Sequence, residues 1–457
     1  MRGWLGWRAA FALFSGAAIA CAACSAWLGL EPLEYDVVPD AGSDVVEDRG
    51  LSTDASPEAT LEQPPDAAEG GIAPGPPFDD MSRWTTYAGN GDGWYAATFD
   101  GRYVYFTRIA GPPRIVRYDT QAENAFDQAS SWTAFDPTTI VSITQQYALA
   151  FDGRYLVVAP YAGVDGGIAT ELVRFDTTSG AAFDSPSSWE TLDGATVAAG
   201  TSRYTSGIGF GDASYFGAAS ANRPFLKHAG GGAAFDAGWE VMNPTFDAAA
   251  CNRNLFGAAC AGSHLYFGPG NNGSQGDSIV RYDPTTAFDA QAGWECFSLA
   301  TFGLDFSGYQ GAAADGSHAY FTDFGKGLLE AGAPLPRRIA RHDATKSLDQ
   351  GWEFYVVTKA HPLASRYHGG TFDGRFVYFA PFPDNSNTVY LRYDTMRSFG
   401  DDNAWQAVTN GQLGLLDATH AGAVFDGKYV YYGHRIGRAA RYRARDDRVY
   451  VASCSGF

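Results

Sequence analysis

Short apolar runs, each broken by a polar turn, recur along this chain, and they recur as one phrase. Phe99-Asp100-Gly101-Arg102-Tyr103-Val104-Tyr105-Phe106 returns at 151–158, 372–379 and 425–432, with weaker copies at 210–216, 260–267 and 314–321. Around the copy at 372 the pattern predicts a thin, glycine-rich first strand over 366–372 and a two-residue turn at Asp373-Gly374. A second strand over 375–379, apolar on both faces, must be covered on both sides. A variable loop then leads to a third strand over 389–394, and a fourth follows over 404–409.

The outer half of the unit repeats as well. Third strands carry Arg117 with Asp119, Arg174 with Asp176, Arg281 with Asp283, Arg341 with Asp343 and Arg392 with Asp394. Each such pair is expected to join in an internal charge-assisted hydrogen bond. Fourth strands open with Trp132, Trp189, Trp239, Trp294, Trp352 and Trp405, six of them for seven hairpins. The seventh is expected upstream, at Ser82-Arg83-Trp84-Thr85-Thr86-Tyr87; a segment at 448–451 competes for that slot but lacks the tryptophan. These counts predict an all-β chain: a seven-bladed β-propeller of four-stranded antiparallel blades, the last completed by the N-terminal strand near Trp84. Such closure latches the ring and removes two open edges. First strands would crowd the axis, which suits Gly369, Gly370, Gly422 and the alanines at 96–97 and 312–314.

Over residues 82–444 the chain resembles repeat propellers of the broad kelch-like kind, with glycine pairs, aromatics and one tryptophan per repeat, although their strict Gly-Gly, Tyr, Trp order is not kept. The resemblance implies the fold and leaves the activity open, since propellers host binding proteins and enzymes alike.

Composition changes the picture at the N-terminus. Residues 1–24 hold Arg2 and Arg8, an apolar run over 9–20, then small residues and cysteine, which reads as a signal peptide rather than a membrane span. Its cleavage region resembles a bacterial lipobox, with Cys24, alternatively Cys21, as the lipidated residue. Residues 25–80 read as a disordered acidic tether rich in Pro, Ala and Asp, and 81–457 as the propeller. Within 31–80, fourteen acidic residues stand against Arg49, so this stretch supplies −13 of the formal net charge of −19. No basic surface remains for nucleic acid. The expected address is export to the outer membrane or cell surface, alternatively the periplasm or medium, as a monomer held to the membrane by lipid alone.

Candidate chemistry is sparse. No GxSxG or HExxH motif occurs. Gly422 to Lys428 has P-loop spacing, but Tyr429 stands where Ser or Thr would hold the metal. No cofactor or metal is expected, because His368, His420 and His434 lack a neighbouring acid or thiol to complete a ligand shell. His264 and His318 share one strand position and read as packing residues. Cys251 and Cys260 would close a short loop, but spacing assigns no pair among Cys251, Cys260, Cys296 and Cys454; Cys260, on the repeat's Phe position, is expected as a buried free thiol.

Function is expected where the repeat breaks, around the channel mouth. Trp94, Tyr95, Gln146, Tyr147, Tyr309, Tyr367, His368 and His420 stand at the starts of first strands, and Arg108, Tyr161, Asp323 and His434 just after second strands. Aromatic and hydrogen-bonding groups around a concave mouth suit an envelope glycan or protein. The leading expectation is a binding or scaffolding module. Two others stand beside it: a carbohydrate-active lyase or hydrolase using His368, His420 and Tyr367 as acid–base groups, and a purely structural surface lipoprotein.

Overall fold

A computed structural model describes residues 75–456, apart from 90–93, 109–111, 164–166, 221, 233, 247–250, 252–253, 271–276, 303–308, 325–336, 383–387, 415–419, 435–437 and 450–454. The chain divides at Ile72 and Ala73, and only the second unit falls within this range. The signal peptide, the lipobox cysteines and nearly all of the acidic tether lie outside the described residues.

Seven antiparallel sheets follow one another along the chain. Blade 1 is built from Trp94–Phe99, Tyr103–Arg108, Ile115–Asp119 and Trp132–Phe135. First strands of blades 2 to 7 are Ile143–Phe151, Tyr204–Phe210, Leu255–Ala261, Tyr309–Ala314, Tyr367–Phe372 and His420–Phe425. Each packs on the first strands of both neighbouring blades, and the seventh meets the first, so the ring is closed. Trp84–Tyr87 is the fourth strand of blade 7, pairing Trp84 with Tyr442 through Tyr87 with Ala439. The chain is a seven-bladed β-propeller latched by its N-terminal strand, which takes the edge for which 448–451 was the rival.

Crowding at the axis explains the first-strand glycines. A Cβ on Gly257 would lie 2.6 Å from the Cα of Gly311, and one on Gly311 would collide with the backbone nitrogen of Gly369. Both residues also adopt positive φ, at +79° and +85°. Three consecutive blades therefore touch backbone to backbone.

The tryptophans fill the wedges further out. Trp189 stacks on Phe135 of the preceding blade with ring centroids 4.4 Å apart, Trp405 on Tyr355 at 4.1 Å, and Trp132 on Tyr87 at 4.7 Å. Each fourth-strand indole N–H is satisfied locally. Trp84, Trp132, Trp189, Trp294 and Trp405 donate to the carbonyl six residues earlier, of Phe78, Phe126, Phe183, Phe288 and Phe399, over 2.8–3.0 Å. A large apolar body with its polar tip paired is what a buried tryptophan requires.

Three expectations need correction. The hairpin tip is one residue later than Asp-Gly: the N–H of Asp373 donates to the carbonyl of Phe376, placing Gly374-Arg375 at the tip with φ +96° at the glycine. The aspartate instead caps the turn, accepting from Phe376 N–H at 2.7 Å and Tyr378 O–H at 2.8 Å. Third-strand Arg and Asp residues do not pair with each other. Being two apart on one strand, they share a face but reach different neighbours. Asp119, Asp176 and Asp394 take Arg102, Arg154 and Arg375 of the hairpin tips, whereas Arg174, Arg281 and Arg341 reach across to Glu190, Glu295 and Glu353 of the fourth strands.

The third correction concerns sulfur. Cys251 is bonded to Cys296, with Cα atoms 6.0 Å apart, and not to Cys260. Cys260 is itself disulfide-bonded rather than a free thiol.

Ser455–Gly456 forms a last short strand, antiparallel to blade 4, with Ser455 opposite Ala259 and Gly456 opposite Ala258. It also approaches the first strands of blades 1, 3 and 5, which only an element inside the ring can do.

Candidate functional site

Near its start every first strand carries a bulge. In five blades two residues face one on the second strand: Tyr95-Ala96, Phe256-Gly257, Gln310-Gly311, His368-Gly369 and Ala421-Gly422. In blade 3 the extra residue is Thr205, and in blade 2 Thr144 and Tyr147 are extra on the first strand and Tyr161 on the second. A bulge breaks the in–out alternation and re-aims a side chain.

The re-aimed side chains converge. Tyr95 of blade 1 shares a 2.8 Å hydrogen bond between its hydroxyl and Nε2 of His368 of blade 6. The same ring lies 6.2 Å from Phe256 of blade 4 and 4.6 Å from Tyr147 of blade 2. Residues from blades 1, 4 and 6 can meet only on the axis. A second layer stacks on this one. Phe382 and Phe324, just past their second strands, lie 5.2 and 6.0 Å from the His368 ring, and Tyr161 lies 4.3 Å from Tyr147. The guanidinium of Arg366 sits 5.5 Å over Phe324. The axis is thus filled by aromatic rings at the loop-bearing end, while Ser455–Gly456 lies among the first strands further along.

The expected site residues fall into two groups. Tyr95, Tyr147, Tyr161 and His368 come together as described. Trp94, Tyr309, Tyr367 and His420, one residue ahead of the bulges, are instead buried between blades. Trp94 packs 5.1 Å from Phe106 and 4.8 Å from Trp132. His420 holds the hydroxyl of Tyr390 through Nε2 and meets the His434 ring at 5.0 Å. Gln146 and His434 are buried too, Arg108 and Tyr161 are half-buried, and Asp323 is ion-paired with Arg337 at 3.3 Å.

Electrostatics follow from burial. Desolvation pushes the His368 imidazole down to about 3 and, with the charge of Arg438, His434 to about 4. His420 lies well below the usual histidine range, through burial and then through His434. The Tyr367 hydroxyl is pushed upward by burial. At neutral pH all four are uncharged. Among the described residues no group of three or more His, Cys, Asp or Glu is placed to hold a metal ion.

Phe256, Phe324 and Phe382 were missed from the sequence. Phe256-Gly257 carries the signal that finds it: with His368-Gly369 and Ala421-Gly422, it marks the residue before a first-strand glycine as one that joins the axial cluster.

This architecture defines a propeller of the kind that presents a loop face around a filled centre. No protein-family model and no curated protein matches the chain. Solved structures do. A catalytically inactive virginiamycin B lyase from Staphylococcus aureus with quinupristin is 12% identical, with a TM-score of 0.51, covering 79% of this chain and 99% of its own. The Pan2 WD40 domain of Neurospora crassa is 7% identical at a TM-score of 0.51, covering 81% and 98%. YCF48 bound to D1 peptide is 12% identical at 0.50, covering 82% and 99%. At these identities the likeness is one of fold.

Proposed function

We propose that this protein is a binding or scaffolding module of the cell envelope, recognising a glycan or a protein through the loop face above the filled axis. The observation that carries the reading is the Tyr95–His368 hydrogen bond across the ring, roofed by Phe382 and Phe324. It makes the loop face a rigid floor rather than the entrance to a channel, and a preorganised floor loses little entropy on binding. Half-buried Arg108, opposite Trp94 in blade 1, and half-buried Tyr161, 4.3 Å from Tyr147, offer charged and aromatic contacts, with Arg366 over Phe324. Of the fold neighbours, YCF48 was solved with a bound peptide, an occupant of the same broad class.

An acid–base role for His368, His420 and Tyr367 is less well supported. A group whose conjugate acid has a pKa of about 3 is a weak base, and all three are withdrawn from solvent. The leader and tether remain as read from the sequence: a lipid on Cys24, or on Cys21, would hold the propeller off the membrane. No helix among the described residues is long and apolar enough to cross a membrane.

The test is retention of the mature chain on envelope polysaccharides and on envelope protein extracts, with products assayed in the flow-through. Retention without product, weakened about tenfold or more by Arg108→Ala with Tyr161→Ala, is the expected outcome. Product release abolished by His368→Ala would overturn it in favour of catalysis. Neither retention nor product would overturn it in favour of a purely structural role.

A further inference from the structure

Every described residue with positive φ is a glycine except one, Arg203, at +60°. It stands immediately before the first strand of blade 3, Tyr204–Phe210, at the loop face and on the inner rim, since first strands are the ones that line the axis. The backbone there is fixed on both sides. Ser202 and Tyr204 are buried, the Tyr204 hydroxyl donates to the Pro224 carbonyl at 3.1 Å, and the Arg203 carbonyl accepts from Ala219 N–H at 2.8 Å. In this left-handed region a Cβ crowds the following carbonyl oxygen, and glycine alone escapes the clash. Glycine would serve the fold better at 203, yet arginine stands there.

The side chain does not repay this. It is exposed and has no hydrogen bond, ion pair or ring contact among the described residues, in a chain of net charge −19 where acids are plentiful. A residue held in an unfavourable conformation without a structural return points to function. The neighbouring blade shows what stands beside it. A Cβ on Gly207 would lie 2.7 Å from the Leu149 carbonyl oxygen, and one on Gly209 would collide with that of Phe151, so the first strands of blades 2 and 3 run side by side in step. Four residues back on each, past one bulge residue in both, Arg203 comes level with Gln145. Gln145 is half-buried, and its amide makes no hydrogen bond among the described residues. It pairs with Ala162 of the second strand, next to the extra residue Tyr161, whose ring lies 4.3 Å from Tyr147.

A guanidinium, an amide and a phenol ring side by side match a sugar acid: the carboxylate for the first, a ring hydroxyl for the second and the apolar sugar face for the third. We propose, resting on the loop-face reading above, that the ligand is an acidic glycan of the uronate class and that Arg203 anchors its carboxylate at the rim between blades 2 and 3. Gln145 and Tyr161 hold the rest of the same sugar unit. The strained backbone presents the guanidinium outward from the rim, and the surrounding buried residues keep it there.

The test sets stability against binding. Arg203→Gly relieves the strain and removes the charge, so its Tm should be at or above that of wild type while its affinity for polygalacturonate falls about tenfold or more. Arg203→Asn, which tolerates positive φ without a charge, carries the same expectation. Binding is measured by affinity electrophoresis of the mature chain at physiological salt, with dextran as the uncharged control and polyglutamate as the acidic-peptide control. Equal retention of wild type and both variants, or no retention of wild type by polygalacturonate, would overturn the proposal; the loop-face reading would still stand if envelope polysaccharides or protein extracts retain the chain. Tighter binding to polyglutamate than to polygalacturonate would overturn it in favour of an acidic protein partner. A lowered Tm in both variants would make Arg203 a structural residue and overturn it as well.

Discussion

Five histidines inside this ring are held neutral by burial: His228, His342, His368, His420 and His434. His228 and His434 are lowered to about 4 and His368 to about 3, against about 6.5 in an unfolded chain. Between these values the unfolded state binds protons that the folded state refuses. Stability from these residues is therefore complete above pH 6.5 and declines as pH falls toward 4, by at most about 1.4 kcal/mol per pH unit for each histidine. Tm measured from pH 7.5 to 5 should fall, and His368→Gln, which keeps a partner for Tyr95, should fall less steeply. Parallel curves for the two proteins would contradict the assignment. The same residue shows where sequence reading runs out. Tyr367 and His368 are neighbours, yet one is buried between blades and the other meets Tyr95 across the axis, because a bulge intervenes. Alternation predicts opposite faces but not which face is axial, and only the following glycine at positive φ betrays the bulge. The neighbourhood of the site was legible, and its direction was not.

At the scale of the element, the hairpin and fourth-strand signatures were legible because each serves a local need. The turn aspartate caps its own hairpin, and the indole donates to a carbonyl within its own segment; neither requires knowledge of distant chain. Phe78, six residues before Trp84, completes the same signature in the latch, as Phe126 does for Trp132. Interactions that span strands were not legible, as the exchange of partners between third-strand Arg and Asp shows, since register decides them. Register also yields an expectation for sulfur. The terminal strand sets 456 against 258 and 455 against 259; Cys454 lies outside the described residues, and one further step of the same register would set it against Cys260. Cys260 is disulfide-bonded, and Cys251 and Cys296 bond each other. Peptide mapping of the oxidised mature chain should therefore link Cys260 to Cys454. A free thiol at Cys454, or its linkage elsewhere, would refute the expectation. The bond would staple the chain's end inside the ring across a loop of nearly two hundred residues, a closure that restricts the unfolded chain strongly.

At the scale of the whole molecule, the ring is only as closed as its latch. Six blades are assembled from contiguous chain; the seventh borrows Trp84–Tyr87 from the far end of the sequence. Trp84 stacks against Tyr432 and Tyr442 of its own blade and Tyr390 of blade 6, with ring centroids 5.0–5.9 Å apart, and Phe78 packs beside it at 5.3 Å. Removing that side chain leaves a cavity in a tightly packed wedge, so Trp84→Ala should cost about 3–5 kcal/mol in denaturant unfolding. An equivalent loss is expected from Trp405→Ala within blade 6, since the packing is alike. Deleting residues 75–88 should do something that neither point variant does. The third strand of blade 7, Ala439–Arg443, would become an open sheet edge, and open edges recruit other chains. Size-exclusion chromatography of that deletion should show self-association at concentrations where Trp84→Ala remains monomeric. If the deletion stays monomeric and keeps its Tm, the N-terminal strand is not what closes the ring in solution.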